Sequence, residues 1–279
     1  MIGAIIGDIV GSRYEFNNIK TKEFPLLSKN SFFTDDTVMT LAVAKALMKH
    51  KEKNANLSYT VIQQMHAIGR KYPDCGYGNS FRMWIFSKNP LPYKSFGNGA
   101  AMRISACGIV GKTLEEVKAL TKEVTEVSHN HPEGFKGAES VAVAIFLARQ
   151  GKSKQEIFVE MNKYYKLNFT LDEIRENYRF DVTCQGTVPQ ALVAFFESTD
   201  FEDAIRNAIS IGGDSDTIGA ITCSIAGAYY GVPANIKTRA KSYLDNTLKK
   251  ILEDFEALYP SKQYDRNKPK EKPLYANKQ

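Results

Sequence analysis

The chain has 279 residues, of which 43% are hydrophobic, 24% charged and 11% aromatic, a make-up that excludes a disordered or fibrous protein. The net charge of +6 lies mostly at one end: residues 261–279 hold six basic and two acidic side chains, whereas residues 1–260 are near balance, with 31 basic against 29 acidic. That distribution does not indicate a nucleic-acid reader.

The N-terminus is apolar, without a basic leader, and is interrupted by Asp8, so a secretory signal is not expected. Gly3, Gly7 and Gly11 recur every four residues and share one face of a short predicted helix, where another backbone can approach closely. Leu41, Ala44, Leu47 and Met48 predict an amphipathic helix within 37–50. Loops rich in Gly, Pro and Asn are expected at 73–79 and 87–99. A further helix is predicted at 113–128 from Leu114, Val117, Leu120, Val124 and Val127, followed by a loop over 128–137. Thr113 with Glu116, Ser153 with Glu156 and Thr170 with Glu173 have the spacing of reciprocal helix caps.

Ala138–Gln150 and Thr217–Tyr230 are apolar nearly all round, as expected of helices at the centre of a bundle. The longest strictly apolar run, Val141 to Ala148, is far shorter than the roughly 18 residues of a membrane span. The polar stretch 160–183 reads as an insertion, and Phe201, Ala204, Ile205, Ala208 and Ile209 predict one more amphipathic helix, followed by a loop at 211–214. With no repeat or long linker, the expectation is one all-α, compact multi-helix domain over 1–260 and a basic, flexible tail over 261–279. Cys75, Cys107, Cys184 and Cys223 show no CxxC spacing, which favours a reducing cytoplasm over a disulfide framework.

Two acidic clusters stand ahead of apolar helices, Thr34-Asp35-Asp36-Thr37 and Gly212-Gly213-Asp214-Ser215-Asp216-Thr217. Taken singly, each is explained by ordinary capping and by the helix dipole. Taken together they are an excess of acceptors. If they converged, each like-charge contact at about 4 Å would cost about 1 to 4 kcal/mol, and a divalent cation would relieve it. Carboxylate and hydroxyl oxygens favour magnesium or manganese over zinc, and two such ions could share an aspartate. His129 and His131 form an HxH without zinc-site spacing, and His50 and His66 read as surface or packing residues. Phe96-Gly97-Asn98-Gly99-Ala100-Ala101-Met102-Arg103 sets two glycines before a helix, which suits either a tight turn or a phosphate approach. Ser80, Ser105 and Cys107 have no partners that would nominate a nucleophile.

In order, these motifs resemble the ADP-ribosylglycohydrolase family, which includes the enzyme that reactivates dinitrogenase reductase. The resemblance runs from Gly3–Asp8 with Glu15, through Phe33–Thr37, Gly97–Arg103, and Ser128-His129 with Gly134–Ala138, to Gly212–Thr217. It spans about residues 1–233. It implies an all-helical orthogonal bundle with two Mg2+ or Mn2+ ions held by Thr34, Asp35, Asp36, Asp214, Asp216 and Thr217; independently of the resemblance, a monomer is the default expectation. Asp216 would bridge the ions, and Glu15 would gate or activate the site. By the same resemblance Glu15, Asp35, Asp36 and Asp216 are the catalytic candidates. Gly97, Asn98, Gly99, Ala100 and Met102, with His129, Gly134 and Phe135, would hold the diphosphate and adenosine of ADP-ribose. The implied reaction is hydrolysis of the bond joining ADP-ribose to an arginine, a serine or a small molecule. The same acids would also serve a metal-dependent phosphohydrolase, and the family resembles a lens crystallin that uses the fold structurally.

Overall fold

The computed structural model describes residues 1–53, 55–265, 267 and 269–275. Among the described residues the regular elements are helices, in the order α1 (Ile2–Gly11), a 3-10 turn (Ser12–Tyr14), α2 (Asp35–Lys53), α3 (Leu57–Gly69), α4 (Asn79–Phe86), α5 (Gly99–Met102), α6 (Ser105–Val110) and α7 (Leu114–Glu126). The second half continues with α8 (Pro132–Arg149), α9 (Lys154–Met161), α10 (Leu171–Arg175), α11 (Cys184–Glu197), α12 (Phe201–Ser210), α13 (Ser215–Tyr230), α14 (Ala234–Lys241) and α15 (Asn246–Leu258). The all-α expectation holds.

Helices α8 and α13 form the centre. Each is buried over most of its circumference, and between them they pack against α1, α5, α6, α7, α11 and α12. That follows from their composition, because a helix without a polar face gains most when neighbours cover all sides. The closest packing joins α1 to α13. A Cβ on Gly3 would lie 2.0 Å from the Cys223 carbonyl oxygen, one on Gly7 2.0 Å from that of Gly219, and one on Gly11 2.4 Å from that of Ser215. The four-residue glycine stripe therefore lets two backbones touch along their length.

Helix starts follow local chemistry. Ser153 with Glu156 and Thr170 with Glu173 form complete capping boxes. At α7 the Thr113 hydroxyl accepts from the Glu116 amide, but the Glu116 carboxylate reaches back to the Lys112 amide instead. The loop expected over 128–137 ends early: α8 begins at Pro132, which is suited to the first helical position, with the His131 ring accepting from the Glu133 amide.

The C-terminal segment, expected as a frayed tail, lies against the domain over its described part. Glu271 donates its amide to Thr199, Leu274 to Phe196, and the nearly buried Tyr275 donates its hydroxyl to Leu167. Leu274 and Tyr275 supply apolar surface that the lysines around them conceal in composition. Residues 276–279 lie outside the described residues.

The α1–α13 contact makes a stability prediction. Gly7→Ala forces a methyl into backbone atoms and is expected to cost about 3 kcal/mol or more. Gly78→Ala, where a Cβ meets nothing within 4 Å, serves as the control and should be near neutral. Denaturant midpoints of the two variants check this.

Candidate active site

The acidic clusters converge because α1 lies flat on α13. Asp8, the lone charge on α1, is fully buried and accepts from the Thr34 amide at 3.0 Å, the Thr34 hydroxyl at 2.8 Å and the Thr37 amide at 3.0 Å. A carboxylate from one helix thus satisfies free amides at the start of another, fixing the first turn of α2. At the end of the same helix, Gly11 sits on Ser215 and Asp216, so the start of α13 lies beside that of α2. The two chain-distant clusters meet there: the Thr217 hydroxyl donates to Asp36 Oδ2 at 3.2 Å.

Glu15, Asp214 and Asp216 each present an oxygen within 4.8 Å of the other two. Asp35 and Asp36 complete the wall, and Asp36 Oδ1 is buried with no hydrogen-bond partner among the described residues. None of these carboxylates forms an ion pair among the described residues. Burial, with repulsion between neighbours, pushes their pKa values up: Asp8 and Asp214 to about 6 and half-buried Glu15 to about 8, while Asp35, Asp36 and Asp216 are held well above the usual carboxylate range.

The cluster forms one end of a cleft of about 690 Å³. The other end is built from Gly97, Asn98, Gly99, Met102 and the loop before α8. Asn98 spans the two ends, donating to Asp214 at 2.7 Å and to Thr187 at 3.0 Å. His129 is buried beside Arg103, whose Nη2 donates to His129 Nδ1 at 3.0 Å. A guanidinium has only donors, so Nδ1 is the acceptor and the ring proton sits on Nε2. Burial and the Arg103 charge hold the His129 pKa well below its ordinary value, which keeps the ring neutral. A Cβ on Gly99 would stand 3.3 Å from Nε2, so the glycine leaves this N–H uncovered.

Most of the expected site residues come together, but not all. Glu15, Asp35, Asp36, Asp214, Asp216 and Thr217 line the cleft with Gly97, Asn98, Gly99, Met102 and His129. Thr34 stands behind them, bonded to Asp8. Three expected contacts do not fit. Ala100 is buried inside α5. Gly134 packs against the Ser95 and His129 carbonyls, and Phe135 lines a separate surface hollow with Lys118 and Lys122. Gly134 and Phe135 lie on the first turn of α8, and neither lines the cleft.

Sequence reasoning missed several contributors. Asp8 enters as an interruption of an apolar stretch and as the end of the first matching motif but with no role of its own, although a charge within a fully buried helix implies a polar partner. The segment 160–183 supplies Phe180 and Val182 to the cleft wall, and Val182 accepts from the Asn98 amide at 2.8 Å. Phe180 stacks on the exposed Phe16 at 5.9 Å, across the mouth beside Glu15.

The fold and the site are thus a helical bundle with one cleft that carries five carboxylates at one end and the neutral His129 ring at the other. A model of the ADP-ribosylglycohydrolase family matches residues 1–267, and the chain belongs to that family of glycohydrolase enzymes. It is 26% identical to ADP-ribosylhydrolase ARH3 of Xenopus tropicalis, over 88% of this chain and 91% of that one. It is 24% identical to ADP-ribosylarginine hydrolase Tri1 of Serratia proteamaculans, over 83% of this chain and 70% of that one. Among solved structures, an ADP-ribosylglycohydrolase-related protein complex superposes with a TM-score of 0.68 at 22% identity, covering 92% of this chain and 96% of that one, which shows the shared fold.

The raised carboxylates set a pH dependence. A group whose folded pKa exceeds its unfolded value binds more protons when folded, so its stabilising contribution is lost as pH climbs through the folded pKa. For Asp8 and Asp214 that window runs from about 4 to about 6, and for Glu15 up to about 8. In EDTA the melting temperature should therefore fall as pH rises from 5 to 8, and a flat profile would contradict the cluster as described.

Proposed function

We propose that the cleft hydrolyses the glycosidic bond between the distal ribose of ADP-ribose and an acceptor, with two divalent cations at the acidic end. The observation that carries this reading is Asp36 Oδ1, a buried carboxylate oxygen without a partner among the described residues, set in a cluster that has no ion pair there. Such an atom is costly to bury unless a cation completes it. Thr34, Asp35, Asp36, Asp214, Asp216 and Thr217 would hold the ions, with Asp216 shared. These hard oxygen donors suit Mg2+ or Mn2+. When bound, the ions supply charge stabilisation at the ribose and lower the pKa of a water.

The chain's own residues do the rest. Glu15, half-buried at the mouth beside Asp214 and Asp216, is placed to exchange a proton with water or the leaving acceptor. The His129 Nε2–H, left uncovered by Gly99, offers a neutral donor to the diphosphate, Gly97 and Gly99 leave room for its approach, and Met102 offers apolar surface. Asn98 holds Asp214 in place from the same wall. Ala100, Gly134 and Phe135 have no part in this reading. The acceptor is a side chain of an ADP-ribosylated protein or a small molecule. Since one chain supplies the whole cleft, a monomer suffices. The four free cysteines suit a reducing, cytoplasmic setting.

The test is release of ADP-ribose from arginine-linked and serine-linked peptides with Mg2+, Mn2+ or EDTA. Metal-dependent release is expected from one of them, and Asp216→Ala should abolish it while the protein stays folded. Release of AMP or inorganic phosphate in place of ADP-ribose would overturn the proposal, as would full activity in EDTA.

A further inference from the structure

We infer that Asn18 is a positioning residue, locking the segment that carries Glu15 to the loop that carries Asp214 and Asp216. The inference rests on the proposed function for its catalytic readout but not for its metal-binding one. Asn18 lies three residues beyond Glu15 and is exposed, yet its side chain makes an unusually full set of bonds. Its amide nitrogen donates to the Tyr14 carbonyl at 2.7 Å, the Glu15 carbonyl at 2.9 Å and the Gly213 carbonyl at 2.9 Å. Its oxygen accepts from the Gly213 amide at 2.7 Å. Three carbonyls share two hydrogens, and the single N–H faces the oxygen, so the orientation of the amide follows from its neighbours.

The 211–214 loop is shaped to receive this side chain. Gly212 and Gly213 have φ of +66° and +76°, which glycine adopts without strain. A Cβ on Gly212 would stand 3.0 Å from the Asn18 oxygen. Among the described residues, no backbone–backbone hydrogen bond outside the helices joins residues 15–17 to this loop. The main tie between the two carboxylate-bearing segments is therefore the Asn18 amide with its two bonds to Gly213, reinforced by a long bond from the Ser215 hydroxyl to the Tyr14 carbonyl at 3.5 Å and by Lys20, whose ammonium donates to the Ile211 carbonyl at 2.6 Å and the Tyr178 carbonyl at 2.9 Å. Glu15 must stand at a fixed distance from Asp214 and Asp216 to share in their chemistry, and this tie sets that distance.

Because Asn18 is exposed, its removal opens no buried cavity, and the variants are expected to fold. Asn18→Leu keeps the volume against Gly212 and removes every hydrogen bond, while Asn18→Ala removes both. Both should lower kcat for ADP-ribose release by about tenfold to a hundredfold, the scale of a small misplacement of catalytic groups, with little change in KM. Both should also bind Mn2+ alone more weakly in an electron paramagnetic resonance titration. In a double-mutant cycle with Glu15→Gln, the combined loss should be smaller than the product of the single losses. Lys22→Met, which removes only a partly exposed ion pair with Asp203, should match the parent in both readouts. Wild-type kcat in Asn18→Leu would reduce Asn18 to packing and overturn the inference, as would losses that multiply fully. If the parent releases no ADP-ribose from either peptide, the proposed function fails. Equal Mn2+ affinity in parent and Asn18→Leu would then overturn the positioning role separately.

Discussion

The direct contact between the backbones of α1 and α13 is the constraint on which the site depends. Two helices normally stand 8–10 Å apart because side chains intervene; here glycines on α1 face Cys223, Gly219 and Ser215 with nothing between. That closeness does more than fill the core. It carries Asp8 to the first turn of α2 and lays Gly11 on Asp216, so the starts of α2 and α13 face the same space. The positive dipole ends of both helices then favour the carboxylates collected there. A larger residue at Gly7 would separate the acidic motifs as well as the helices.

The resulting cleft has two chemically distinct ends. At one, carboxylates crowd together with their pKa values raised, which is unfavourable for the folded chain alone. At the other, a neutral imidazole faces the cleft beside Gly97 and Gly99 without bringing in a mobile charge. Asn98 is bonded to Asp214 and held by the Val182 carbonyl, so the two ends are mechanically joined through one residue. The 178–183 segment takes part in both, through Lys20 at the acidic side and Val182 at the other.

Much of this was legible in the sequence because it rests on short-range pattern. Periodicity gave the helices of the core, the glycine stripe gave the backbone contact, and the paired carboxylates at two helix starts gave the acidic end. What was not legible depends on where the chain turns back on itself. Gly134 and Phe135 follow His129 closely, but Pro132 starts a helix that points them elsewhere. The polar 160–183 stretch has little regular structure, so nothing local signalled that Phe180 and Val182 reach the cleft. Asn18 carries no signal in one dimension, since the loop it ties down, at Gly213, lies 195 residues away. The tail misled in the opposite direction, because its lysines outnumber the apolar residues that dock it, Tyr264, Leu274 and Tyr275 among the described residues.

Arg103 shows why such a site needs the large apolar core behind it. It is fully buried, its pKa is lowered to about 10 yet remains above neutrality, and its Nε and Nη1 lack hydrogen-bond partners among the described residues. Its guanidinium is stabilised by the Phe81 ring at 5.0 Å and by bonds to Ser128 and His129, and no carboxylate pairs with it among the described residues. On stability alone a well-packed apolar residue would serve better there. What the charge provides is direction: a permanent donor at Nδ1 that keeps His129 neutral and turns its one N–H toward Gly99 and the cleft. The acidic cluster is unfavourable for a parallel reason, crowding buried acceptors that have no ion pair among the described residues. Both ends of the cleft are thus locally destabilising, and the continuous burial of α8 and α13 between them offsets that cost.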